Sequence, residues 1–154
     1  MRPVWLVSAC LLGERCRYDG KDCYDPAVEK LMEKADVVPV CPETLGGLPV
    51  PRTPCEISGG TGADVWKGTA KVLDKEGRDR TRAFVAGAEK AIEICEQKGA
   101  KNALVKSDSP SCGCGTIYDG SFGNRKREGN GVFTQRLLEK GVRVVCEGDA
   151  AVRI

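Results

Sequence analysis

The chain has 154 residues, a length typical of one domain with a substantial buried core. Its formal net charge is +2, whereas nucleic-acid-binding domains are usually markedly basic, so composition argues against a nucleic-acid partner. No apolar run is long enough to span a membrane, and the short apolar N-terminal stretch lacks the features of a signal peptide. We therefore expect a single cytoplasmic domain over residues 1–154, either monomeric or homodimeric.

The predicted elements alternate between strands and helices along the chain. They are strands at 4–9, 37–40, 102–106 and 142–146, a small strand at 69–73, and helices at 26–35, 80–98 and 131–140. Asp25 and Asn130 are the predicted N-caps of the first and last helices, and Gly99 ends the middle one. Pro39 indicates a strand with one unpaired side. This order predicts an α/β, Rossmann-like fold with a mostly parallel sheet flanked by helices.

Two segments carry no periodic signal and are predicted to be long loops. They cover 41–67 and 107–129 and are rich in glycine or proline. Long loops in a compact domain are usually functional. The tail at 150–154 is predicted to form a turn or a short edge strand.

Nine cysteines and no histidine set the chemistry available to this chain. An odd number cannot pair completely, and disulfides rarely persist in a reducing compartment. The absence of histidine removes the commonest metal ligand and the usual general acid or base. A metal would therefore rest on thiolates, which favour zinc or an iron–sulfur cluster.

Three of the cysteines follow predicted strands. Cys10 and Cys41 come directly after the first two strands, and Cys112 lies in the loop after the third main strand. The carboxyl ends of parallel strands face one crevice, where ligands bind. We therefore expect these three thiols to converge, although each could instead be a small buried core residue.

The other six cysteines have different predicted roles. Cys95 lies on the apolar face of a helix and Cys146 ends a strand, so both are predicted to be core residues. The remaining four could contact a metal and are left open: Cys16, Cys23, Cys55 and Cys114. No two cysteines have the two-to-four-residue gap typical of zinc sites, so a zinc ribbon is not predicted.

Two polar residues near these cysteines are candidate catalytic groups. Glu43 lies two residues after Cys41, and Ser109 lies three residues before Cys112. In a chain without histidine a carboxylate is the natural general base, although Glu43 could equally be a solvated loop residue. Arg52 is expected either to pair with Glu56 or to bind an anionic ligand.

Several of these residues lie in motifs that make a family recognisable. In chain order the motifs are Val7-Ser8-Ala9-Cys10-Leu11-Leu12-Gly13, Cys16-Arg17-Tyr18-Asp19-Gly20, Cys41-Pro42-Glu43, Pro51-Arg52-Thr53-Pro54, Ser109-Pro110-Ser111-Cys112-Gly113 and Ile117-Tyr118-Asp119-Gly120-Ser121-Phe122. They span most of the chain. With them the sequence resembles the thiouracil desulfidases, a bacterial and archaeal family formerly of unknown function.

The resemblance implies a cofactor, a reaction and residue roles. It implies a 4Fe–4S cluster on Cys10, Cys41 and Cys112 with one open iron, and catalytic roles for Glu43 and Ser109. The implied reaction is non-redox desulfuration: thiouracil or a similar thiolated heterocycle reacts with water to give the oxo product and hydrogen sulfide. The iron would bind the soft thiocarbonyl sulfur.

Two other hypotheses use the same residues. The first is an iron–sulfur-dependent sulfur carrier in nucleotide or tRNA thiolation. A tRNA partner would require a basic stripe, for which the candidates are Lys101, Lys106, Arg125, Lys126 and Arg127. The second is a non-enzymatic module that senses metal or sulfur, or a zinc-stabilised scaffold.

Overall fold

The structure, a computed structural model, describes residues 2–149, so the predicted tail at 150–154 lies outside the described residues. The strands are β1 Val4–Ser8, β2 Asp36–Val40, β3 Cys55–Ser58, β4 Lys71–Asp74, β5 Asn102–Val105, β6 Thr116–Tyr118, β7 Lys126–Glu128 and β8 Arg143–Cys146. The helices are α1 Ala27–Lys34, α2 Pro42–Leu45, α3 Gly62–Lys67, α4 Thr81–Lys98 and α5 Val132–Glu139, with 3-10 turns at Ala9–Leu12 and Glu147–Asp149. Within the described residues, no helix is both long and apolar enough to cross a bilayer.

A parallel sheet forms the centre of the fold. Its strand order is β2-β1-β5-β8, and every neighbouring pair is parallel. Val7 of β1 lies opposite Pro39 of β2 on one side and Leu104 of β5 on the other. In this sheet β2 is an edge strand, so Pro39 sits where a missing N–H is tolerated. The predicted α/β fold with a parallel sheet is confirmed.

Helices cover both faces of this sheet because β1 alternates its side chains between two apolar cores. Trp5 and Val7 pack in one core with Leu31 of α1. Leu6 points to the other face and packs in a core with Phe84 of α4. Each fully buried large side chain contributes roughly 1.5–3 kcal/mol relative to its exposed state. The helices predicted around residues 26–35, 80–98 and 131–140 are all present, with bounds shifted by at most one residue.

The two segments predicted as long loops contain short elements, and that prediction is wrong in this respect. Residues 41–67 form α2, β3 and α3, and β3 pairs antiparallel with β4. Residues 107–129 contain β6 and β7, which form a two-stranded antiparallel ribbon. A capping box between Thr61 and Asp64 starts α3, with the Thr61 N–H 2.8 Å from Asp64 Oδ2.

Candidate functional site

Cys10, Cys41 and Cys112 meet at one cavity. They follow β1, β2 and β5, which are three neighbouring strands of the sheet, and all three side chains line a cavity of about 330 Å³. That volume lies in the usual range of ligand pockets. The structure thus brings together the three thiols at the edge where a parallel sheet binds its ligands. Their role as metal ligands stays a prediction.

Local backbone contacts hold Cys10 and Cys41 at this edge. Cys10 lies in the 3-10 turn after β1, and its carbonyl oxygen accepts the N–H of Cys23 at 2.9 Å. Cys41 occupies the N-cap position of α2, with extended φ/ψ of −132° and 96°. Pro42 follows at the first helical position, where its missing N–H has no consequence and its fixed φ suits the helix. The change from strand to helix therefore occurs at the candidate ligand itself.

Hydrogen bonds from the first residues of α5 hold the loop that carries Cys112. The Phe133 N–H donates to the Ser111 carbonyl at 2.9 Å, and the Thr134 hydroxyl donates to the Cys112 carbonyl at 2.8 Å. Gly131 makes this approach possible, since a Cβ there would lie 2.5 Å from the Ser111 carbonyl oxygen. Gly131, and not Asn130, takes the N-cap position of α5, so the predicted cap is wrong.

A fourth thiol belongs to the same group. Cys16 lines the cavity, and its carbonyl oxygen accepts a hydrogen bond from the Cys41 thiol at 3.9 Å. The Cys16 carbonyl oxygen accepts a hydrogen bond from Arg52 Nη2 at 3.0 Å, which holds the loop against the cavity. The sequence left the roles of four cysteines open. Of these four, Cys16 has the most direct contact with the predicted ligands.

The remaining cysteines lie in different environments. Cys55 is partly buried and lines the cavity. Cys114 forms a disulfide with Cys146. Cys146 is only partly buried and belongs to neither apolar core, so the prediction that it is a core residue is wrong. Cys95 is buried on α4, as predicted. Cys23 is partly buried beside Glu147, with Sγ 4.0 Å from Oε2.

Several thiols that line the cavity have raised pKa values, which favours their protonated form. A hydrogen bond with Cys10 raises the pKa of the Cys16 thiol to about 11. A hydrogen bond with Cys16, together with burial, raises the pKa of Cys41. Burial raises the pKa of Cys112 to about 12. A metal that binds these thiols must therefore displace their protons.

Glu43 is fixed beside the thiols by two partners. Arg52 donates to Glu43 Oε1 from Nη2 at 2.8 Å and from Nε at 3.1 Å. Ser111 Oγ donates to Glu43 Oε2 at 2.8 Å. The Arg52 and Glu43 side chains are 6% and 15% exposed, so water screens this pair little. The expected Arg52–Glu56 pair is wrong: Glu56 instead accepts backbone N–H groups of a neighbouring loop.

Ser109 lies at the other end of this hydrogen-bonded group. Its Oγ accepts the Cys112 N–H at 2.7 Å and lies 3.3 Å from Ser111 Oγ. Ser111 therefore connects Glu43 to Ser109, a role that the sequence reasoning missed. Its position inside the Ser-Pro-Ser-Cys motif was the available signal, but local sequence could not indicate which serine reaches Glu43.

Two residues of the predicted basic stripe, Lys106 and Lys126, are paired with acids. Lys106 Nζ donates to Glu147 Oε1 at 2.8 Å, and Lys126 Nζ donates to Asp108 Oδ2 at 3.0 Å. Ser107 Oγ also donates to Glu147 Oε1, at 2.6 Å. These contacts reduce the free positive charge on this side of the molecule.

The donor set fits an iron–sulfur cluster in its chemistry. Thiolates are the usual ligands of such clusters, and the three predicted ligands reach one cavity from three separate strand ends. Among residues 2–149, no three His, Cys, Asp or Glu side chains converge closely enough to hold a single metal ion. Cys10, Cys41 and Cys112 thus line one cavity without forming a site for a single ion.

Comparisons with known proteins give a consistent result. A family model described as 2-thiouracil desulfurase matches residues 5–149. The uncharacterised protein YbbK of Bacillus subtilis (strain 168) is 42% identical over 144 residues, covering 94% of this chain and 95% of the relative. A solved structure of the 4Fe–4S-dependent thiouracil desulfidase TudS superposes with a TM-score of 0.82 at 36% identity, covering 97% of this chain and 93% of that one.

Proposed function

Because the chain belongs to the 2-thiouracil desulfurase family, we propose that it is a hydrolytic desulfidase that converts thiouracil or a similar thiolated heterocycle to the oxo product. One observation carries this proposal: three thiols from adjacent strands line the same cavity as Glu43 and Ser109. The TudS structure supports it, since that protein is described as a 4Fe–4S-dependent thiouracil desulfidase.

Cys10, Cys41 and Cys112 are the proposed ligands of a 4Fe–4S cluster. A cluster on three thiolates retains one iron without a protein ligand, which supplies a Lewis acid for a soft thiocarbonyl sulfur. Burial of Cys112 and partial burial of Cys41 keep bulk water away from the thiolates. Glu43 and Ser109 line the same cavity, which is the proposed binding place of the small heterocycle.

The proposed reaction is a hydrolysis that transfers no electrons to or from the protein. The carbon–sulfur bond of the thiocarbonyl breaks, a carbon–oxygen bond forms from water, and both protons of that water leave with the sulfur as hydrogen sulfide. Glu43 is the proposed base that takes a proton from the attacking water. Arg52 and Ser111 hold its carboxylate in place through Oε1 and Oε2, and a lone pair remains on Oε2 for the water.

Ser109 is the proposed proton donor to the substrate ring. Its oxygen accepts the Cys112 N–H, which leaves the hydroxyl proton free to point into the cavity or toward Ser111. A proton taken by Glu43 can reach Ser109 through Ser111, because the three oxygens form a continuous hydrogen-bonded line. Acid and base work is thus done without histidine.

The test begins with anaerobic reconstitution and an assay of sulfide release from thiopyrimidines. A fully cluster-loaded protein with no activity on any thiopyrimidine would refute the proposed reaction. Glu43→Gln should retain the cluster and lower kcat by about 10²- to 10⁴-fold, the usual contribution of a general base. Glu89→Gln, an exposed residue of α4, is the matched control and should be unchanged.

The sulfur-carrier hypothesis has less support. A tRNA partner requires a stripe of free positive charge, but Lys106 and Lys126 are engaged with Glu147 and Asp108. A sensing module or a zinc scaffold also has no need of a base and a proton donor, whereas this cavity has a candidate for each. Desulfidation is therefore the function that the geometry supports best.

A further inference from the structure

Strained backbone is concentrated at the candidate cavity. Within residues 2–149, the non-glycine residues with positive φ are Asp108, Phe122 and Asn124, at 68°, 58° and 60°. All three line this cavity. Asn and Asp visit the left-handed region with little difficulty, but for Phe this conformation is unfavourable and persists only where its surroundings impose it. Phe122 is thus held in place at a conformational cost.

The contacts that impose this conformation come from β3. Glu56 Oε1 accepts the Gly120 N–H at 2.9 Å and the Phe122 N–H at 3.2 Å. Gly120 packs so closely on β3 that a Cβ there would lie 2.5 Å from the Ile57 carbonyl oxygen. A carboxylate and a close backbone contact therefore fix the Ser121–Gly123 turn that presents Phe122.

The position of the ring has no evident structural purpose. Phe122 is only partly buried, although a phenylalanine packed for stability would normally lie in a core. It is absent from both buried apolar cores of the fold. Tyr118 lines the same cavity. A flat aromatic side chain held at the wall of a cavity is suited to stacking against a planar heterocycle, since offset stacking adds to the burial of apolar area.

We propose that Phe122 selects the substrate by stacking on the ring of the thiolated heterocycle, and that Glu56 positions it for this contact. The inference rests on the proposed function and deepens it, because it assigns recognition of a flat heteroaromatic ring to a residue separate from the candidate base and ligands. Stacking acts in the ground state as much as in the transition state, so it affects KM more than kcat.

The experiment uses the cluster-loaded protein and two substitutions of different shape. Phe122→Leu keeps an apolar side chain of similar bulk but removes the flat ring, and Phe122→Tyr keeps the ring. With 2-thiouracil, Phe122→Leu should raise KM by about 5- to 150-fold, the usual size of one base-stacking contact, with kcat close to wild type. Phe122→Tyr should retain the wild-type KM. The dissociation constant for uracil, measured by calorimetric titration, should rise in parallel with KM.

Two results would overturn the inference while the desulfidase activity stands. A KM within twofold of wild type in Phe122→Leu would show that the ring makes no contact with substrate. Equal impairment of Phe122→Leu and Phe122→Tyr would indicate a role in packing of the turn instead. Tyr24→Ala, which removes an exposed aromatic side chain outside the cavity, is the control and should leave KM unchanged. Failure of the proposed function itself is a separate result, seen as absence of turnover in the wild-type protein.

Discussion

The contact between α2 and α4 leads to a prediction about Gly87→Ala. A Cβ at Gly87 would lie 1.8 Å from the Pro42 carbonyl oxygen, and one at Gly46 would lie 2.0 Å from the Ala83 carbonyl oxygen. The two helices therefore touch backbone to backbone at glycines. Because α2 carries Glu43 and begins directly after Cys41, this contact places both residues at the cavity.

The size of the perturbation follows from these distances. Real Cβ contacts essentially never fall below 3.0 Å, so Gly87→Ala must widen the separation of the residue 87 Cβ and the Pro42 carbonyl oxygen from 1.8 Å to at least 3.0 Å, which shifts α2 relative to α4. A misplacement of about 1 Å in a catalytic group can cost roughly 10²-fold in rate. Overpacking costs about 1–3 kcal/mol, whereas alanine in place of a mid-helix glycine returns about 1 kcal/mol. We expect activity to fall far more than stability.

The assay compares kcat/KM for sulfide release with the thermal unfolding midpoint of the same preparations. Gly87→Ala should lose about 100-fold in kcat/KM while its net loss of stability stays within about 2 kcal/mol. Glu89→Ala, an exposed position on the same helix, should change neither quantity. Wild-type kcat/KM in Gly87→Ala would refute the argument that this helix contact positions the base.

Three further substitutions test separate parts of the structure. Ser111→Ala removes the hydrogen bond to Glu43 Oε2. It should lower kcat by about 10- to 100-fold, equivalent to roughly 1.5–3 kcal/mol for a hydrogen bond to a charged group. An unchanged kcat would exclude a role for Ser111 between Glu43 and Ser109. Cys16→Ser should keep wild-type iron and sulfide content on metal analysis, and loss of the cluster would instead make Cys16 a ligand. Burial opposes ionisation of Asp74, but hydrogen bonds from Arg78 and from the Glu76 N–H outweigh this effect and lower the pKa of Asp74. The ionised Asp74 therefore stabilises the folded protein above its unfolded pKa of about 3.9. This contribution disappears as the pH falls through the lowered pKa of the folded state. Asp74→Asn should flatten this acid limb in unfolding midpoints measured from neutral to acid pH, and an unchanged limb would assign it to other carboxylates.

Much of the fold could be predicted because strong local patterns coincide with the final architecture. The strand at Val4–Ser8 and the helix at Thr81–Lys98 have clear composition or periodicity, and their order implies a parallel sheet. The short strands β3 and β7 could not be predicted in the same way. They consist of three or four residues, and they exist because a distant partner supplies their hydrogen bonds.

The candidate site, like the fold, could be predicted from the sequence only in part. The sequence by itself determined that Cys10, Cys41 and Cys112 converge, because strand ends in a parallel sheet share one edge whatever the loops do. Only the tertiary structure decided which side chains meet at that edge of the sheet. Ser111 donates a hydrogen bond to Glu43, and Cys16 lies beside Cys10 and Cys41. Such contacts depend on the path of two loops relative to each other, and no local pattern encodes a distance between residues that far apart along the chain.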